Sequence, residues 1–134
     1  MPRQQITSGR IGRPSGHFSQ AIAVEASGRL VFISGMTSKR ADGSIAGVGD
    51  IEVQTRQMCE NVKAAVEAAG GTMADIIKMN VYLVAEVDAS EVPKFRAVRD
   101  RYVNTAQPPA STFVVVSRLA RPGWLIEIEA IAVI

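Results

Sequence analysis

The clearest alternation in the chain runs through its C-terminal end. On a strand from Leu125 to Ile134, one face carries Ile126, Ile128, Ala130, Ala132 and Ile134, and the other Leu125, Glu127, Glu129, Ile131 and Val133. Two acids therefore share a face with aliphatics. Carboxylates that are neither paired nor solvated are costly to bury, so this face reaches solvent, meets a partner chain, or lines a site.

A second strand is read from Ile76 to Val84, where Ile77, Met79, Val81 and Leu83 alternate with Lys78, Asn80 and Tyr82. Ala21–Glu25 and Leu30–Ser34 read as a hairpin around Ser27-Gly28. A loop from Lys39 to Gly49, with Asp42-Gly43 and further glycines, reads as a flexible link into a helix. Asp50 can cap that helix, which ends at Gly70-Gly71 and buries Ile51, Thr55, Met58, Val62, Ala65, Val66 and Ala69. Cys59 borders this stripe and reads as a small hydrophobe. A second helix starts near Ser90 and buries Val92, Phe95, Val98 and Tyr102 before Pro108-Pro109 stops it.

The order strand, strand, helix, strand, helix, strand, strand makes a single α+β domain of 134 residues. Right-handed crossovers put both helices on one side of the sheet. The other side then carries Lys78, Asn80, Tyr82, Glu127 and Glu129 among Leu125, Ile131 and Val133, too apolar for water and too polar for a sealed core. An oligomer with clefts between subunits resolves that tension.

Charge adds little to this picture. Fifteen basic and 13 acidic residues give a net +2 without a stripe that would hold nucleic acid or an anionic membrane, and Arg3, Arg10 and Arg13 read as a solvated arm. One cysteine excludes an internal disulfide, and one histidine with one cysteine cannot build a usual zinc site. No metal or cofactor is expected, since Gly47-Val48-Gly49 lacks the rest of a nucleotide-binding fingerprint. No apolar run approaches the roughly 20 residues of a membrane span, and the polar start MPRQQITSGR lacks a signal peptide's apolar region. A cytoplasmic protein is expected.

Short motifs in order along the chain carry a resemblance. Gly16-His17-Phe18-Ser19-Gln20-Ala21, Val31 to Gly35, Asp50 to Gln57, Asn61-Val62-Lys63, Pro109-Ala110, Ser117-Arg118-Leu119 and Glu127-Ile128-Glu129-Ala130 together cover nearly the whole chain. Their order and spacing resemble the Rid family, the YjgF-like reactive-intermediate deaminases. The resemblance implies a chorismate-mutase-like fold and a homotrimer with sites in the clefts between neighbouring chains. It nominates Glu127 as the acid that positions or activates water, with Gly35 bordering the site.

The departures from the family pattern bear on the substrate. Typical members hold the substrate carboxylate with an arginine directly after Pro-Ala; here that position is Ser111. A guanidinium clamps a carboxylate with two charge-assisted bonds, whereas a hydroxyl offers one neutral donor. Arg118 cannot take over, being an odd number of positions along and roughly 23 Å away on an extended strand. The family's tyrosine aligns with Phe18, the preceding proline with His17, and a small or aliphatic position with Phe113.

The expected activity is hydrolytic deamination of a small imine or enamine with release of ammonia, Glu127 and His17 being the catalytic candidates and Phe18, Gly35, Ser111 and Phe113 the substrate-binding ones. Without the arginine a short 2-imino acid is a poor fit, and a larger amino-diene acid resembling 2-aminomuconate is conceivable by analogy. The alternative is a trimeric small-molecule-binding or protein-interaction module that lost deaminase chemistry with its arginine. A ribonuclease activity finds no basic stripe or stacking aromatics. Glu129 reads as structural, paired with Lys78.

Overall fold

A computed structural model describes residues 3–14, 16–25 and 27–134. The elements in chain order are β1 (Arg3–Ile6), β2 (Ala21–Val24), β3 (Leu30–Met36), α1 (Ile51–Ala68), β4 (Ile76–Val84), α2 (Val92–Arg99), β5 (Ala110–Val116) and β6 (Ile126–Val133). The main sheet has the order β3-β6-β4-β5, with β6 antiparallel to both neighbours and β4 parallel to β5. Both helices pack on one face, as the crossover rule requires.

Each element follows from its residues. Asp50 caps α1 by accepting from the Val53 amide at 3.1 Å, and Gly70, at φ +96°, ends it in the left-handed region that a side chain resists. The buried stripe of α1 contains Ile51, Met58, Val62 and Val66 as expected, and Cys59 lies within it, 3 % exposed. Burial pushes the Cys59 thiol up to about 12, which removes it from nucleophilic chemistry. Helix α2 is only eight residues long, and Tyr102 lies beyond it in the following turn. The glycine loop before α1 is tied at its neck by an antiparallel bridge between Lys39 and Ile45, with Ser38 and Ala46 buried.

The expected hairpin of β2 with β3 does not form. Instead β2 pairs with β1 in a separate two-stranded sheet. That sheet is anchored at the β5 side: Ser19 forms a bridge with Ala110 and donates to Pro108 O, while Arg3 donates to Ile76 O and Gln107 O. Since β3 and β5 are opposite edges of the main sheet, a strand held beside β5 cannot also pair with β3. Arg3 is thus an anchor, not part of a solvated arm. The free edge strand β3 presents Leu30 and Phe32, 59 % and 71 % exposed.

The face assignment of β6 holds from Ile126 to Ala132, with the even positions buried and Glu127, Glu129 and Ile131 half-buried. Leu125 and Val133, assigned to the acids' face, are both buried. Leu125 precedes the strand and joins the core, its amide donating at 2.9 Å to the Gln54 side chain. Gln54 is fully buried in α1 and also donates to Gly47 O and Gly123 O. One amide group therefore fixes where β6 begins, and with it the height of Glu127.

Candidate functional site

The six candidate residues fall into two groups on one chain. Gly35 and Glu127 line a cavity of about 470 Å³ with Thr37, Asn61 and Trp124. Phe18, Ser111 and Phe113 line another of about 320 Å³ with Arg96 and Arg99 from α2, and His17, outside its lining, joins this group through Asp100. The strand register explains the separation. Glu127 stands opposite Tyr82 on the open face of the sheet, whereas Ser111 and Phe113 stand opposite Met79 and Val81, which point into the helix-covered core.

In the first group Gly35 is required by space. A Cβ built there would lie 1.9 Å from Glu127 Oε1, so the carboxylate occupies the position of the missing side chain. Gly35→Ala should displace that carboxylate while sparing the fold, because the clash is with the free end of a side chain. We expect turnover of a substrate to fall by about 100-fold, read by steady-state kinetics, with the melting temperature almost unchanged.

The two acids of β6 have different environments. Burial, and secondarily the Glu129 charge, raises the Glu127 pKa above the usual carboxylate range. Glu129 is held below it by hydrogen bonds from Tyr82 Oη at 2.6 Å and Asn80 Nδ2 at 3.0 Å. The expected pairing of Glu129 with Lys78 does not form; that ammonium donates to Thr112 Oγ1 at 2.8 Å. Two neighbouring carboxylates pushed apart in acidity provide one group that exchanges a proton and one that stays charged.

The second group is built around α2. Phe113 packs on Phe95 with ring centroids 5.4 Å apart, and the Arg99 guanidinium sits over the same Phe95 ring at 5.4 Å. Arg99 also donates from Nε and Nη2 to Asp100 Oδ1 at 3.2 and 3.0 Å. His17 Nδ1 lies 2.7 Å from Asp100 Oδ2, so the only histidine joins the segment carrying Phe18 to α2 and does not stand beside Glu127. Burial pushes the Asp100 carboxyl up, but the bonds from His17 and Arg99 outweigh it and hold the group low. Arg118 lies beyond β5, exposed and outside this pocket.

Sequence reasoning missed the arginines of α2. Their i, i+3 spacing places Arg96 and Arg99 on one helix face, but only the β4-α2-β5 crossover reveals that this face looks along β5.

The endoribonuclease L-PSP family profile matches residues 9–134. The chain belongs to the Rid family. This Rid protein is 36% identical over 132 residues to a RutC family protein of Pyrococcus abyssi, covering 98% of both chains. It is 30% identical over 133 residues to a 2-iminobutanoate/2-iminopropanoate deaminase of Dermatophagoides farinae, covering 99% of this chain and 98% of the other. Among solved structures, a Rid-family protein of unknown function from Yersinia pestis superposes over 100% of both chains with a TM-score of 0.88 at 32% identity. RidA from an Antarctic Psychrobacter covers 98% of this chain and 99% of its own, with a TM-score of 0.70 at 32% identity. The α+β fold with two helices on one sheet face is thus the family's.

Proposed function

We propose that this Rid protein is a cytoplasmic, cofactor-free hydrolase that converts a small imine or enamine to the carbonyl compound and ammonia, working in clefts shared by neighbouring subunits of a homotrimer. The observation that carries this reading is the Glu127 carboxylate lying over Gly35, half-buried and raised in pKa beside an ionised Glu129. The family membership and the relative named as an imine deaminase support it.

The chemistry needs only water and a proton carrier. An enamine protonated on carbon gives an iminium ion; Glu127 takes a proton from water as its oxygen bonds to the iminium carbon. The resulting carbinolamine accepts that proton on nitrogen, the C–N bond breaks, and collapse to the carbonyl releases ammonia and the remaining hydroxyl proton. Glu129, held ionised by Tyr82 and Asn80, stabilises the cationic nitrogen. Two half-sites facing different sides of one chain support sharing: the Glu127 half of one subunit is completed by the Ser111 half of a neighbour.

The test is ammonia release from imines generated in place by an amino-acid oxidase, across short and conjugated 2-imino acids. Faster release than in buffer is expected for part of this panel. Ser111 in the family's arginine position favours the second reading, a binding module without turnover. Saturable ligand binding with no accelerated release from any imine would replace the first reading with the second.

A further inference from the structure

We infer that Arg96 of α2 is the carboxylate anchor of this protein, and that the pocket it shares with Ser111 takes a carboxylate carried on a flat, conjugated or aromatic body. The inference deepens the proposed deaminase reading by naming the substrate class of its binding half. The pocket is walled by Phe18 and Phe113, backed by Phe95, and its polar groups are Ser111, Arg96 and Arg99. The side chains of these polar groups differ in what they can still offer. Arg99 is 7 % exposed and its guanidinium is committed to Asp100 and the Phe95 ring. Arg96 is exposed and, among the described residues, its guanidinium has no ion pair or hydrogen bond. The Ser111 hydroxyl likewise has no partner among the described residues.

Charge selects the ligand's sign and size of charge. Arg96 and Arg99 contribute two positive charges and Asp100 one negative, leaving one positive charge for a monoanion. A free guanidinium presents a planar fork that matches a carboxylate's two oxygens, and Ser111 can supply one further donor. The phenylalanines select the body. A short aliphatic acid would leave two rings without contact, whereas a planar π-system stacks on them at low cost in ligand entropy. The anchor lost from β5 is thus replaced from the helix that packs across it, with a changed preference in what the anchor carries.

The test is equilibrium binding measured by titration calorimetry with trans-cinnamate, its neutral amide and propanoate as probes. Wild type should bind cinnamate at least about tenfold more tightly than the amide or propanoate. Arg96→Gln should weaken cinnamate by about 10- to 100-fold and leave the amide unchanged, and Arg96→Lys should recover part of the loss. Equal cinnamate affinity in wild type and Arg96→Gln, equal affinity for acid and amide, or no saturable cinnamate binding at millimolar concentration would each overturn the inference. None of these readouts involves turnover. Intact Arg96-dependent binding without ammonia release would overturn the deaminase reading and leave the anchor standing.

Discussion

Replacing Glu127 by glutamine should lower ammonia release from the true substrate by about 10²–10⁴-fold, the range supplied by a positioned proton-transfer group. The variant keeps the shape that fits over Gly35 and removes only the titrating oxygen. Because the Glu127 pKa is raised in the folded chain, its contribution to stability is complete below the unfolded carboxyl's range and is lost as pH rises through the folded value. At neutral pH the ionised acid therefore opposes folding, and Glu127→Gln should melt no lower than wild type. The wild-type rate should fall as pH drops through that raised value, giving an acid limb above the ordinary glutamate range near about 4.3. Ligand affinity should survive the substitution. A turnover number equal to wild type would remove Glu127 from the chemistry, and loss of the proposed assembly would show that its role was there.

The largest effect on stability is expected at a residue with no place in the chemistry. Gln54→Leu keeps volume in α1 but leaves the Leu125 amide and the Gly123 carbonyl without their partner, while Gly47 O keeps the Asp50 amide. The buried Leu125 amide bears most of the penalty, because Gly123 lies in an exposed turn and its carbonyl can turn to water. The expected loss is about 2–4 kcal/mol, or about 5–15 °C in melting temperature by calorimetry. Since these bonds fix the start of β6, turnover should decline even below the melting range. A variant as stable as wild type would mean that the loop before β6 finds its place without α1.

The periodic parts of the fold were legible in the sequence. The alternation of β4 and β6, the Asp50 cap and the Gly70 stop all encode local geometry, and local geometry is what spacing reports. Pairing between distant segments was not legible. Nothing in Ala21–Val24 says that Arg3–Ile6 is its partner, or that side-chain bonds from Arg3 and Ser19 hold both beside β5. Gln54 sits beside the buried stripe of α1 by spacing, but what its amide does depends on the carbonyls and amide brought around it by the fold. Of the candidate site, Glu127, Gly35, Ser111 and Phe113 were all nominated through the resemblance, which does not say which of them touch; the contact of Glu127 with Gly35 is seen only in the fold. That these pairs face different sides of the sheet depends on the β4–β5 and β4–β6 registers, and the presence of Arg96 beside Ser111 depends on a crossover.

The sheet order has a consequence for how the chain is made. Strand β6 lies between β3 and β4, yet it is made after both of them and after β5. Until it emerges β3 has no partner in the main sheet, and β4 has only β5. Early segments can form helix and short strand contacts, but the core closes only once β6 has emerged, through pairings of long sequence separation. A nascent chain stalled before β6 would expose the apolar edge of Leu30 and Phe32 together with the uncovered β4, and would be a substrate for chaperones. The two acids of the candidate site arrive on that same strand, so a chain stopped before β6 lacks them both.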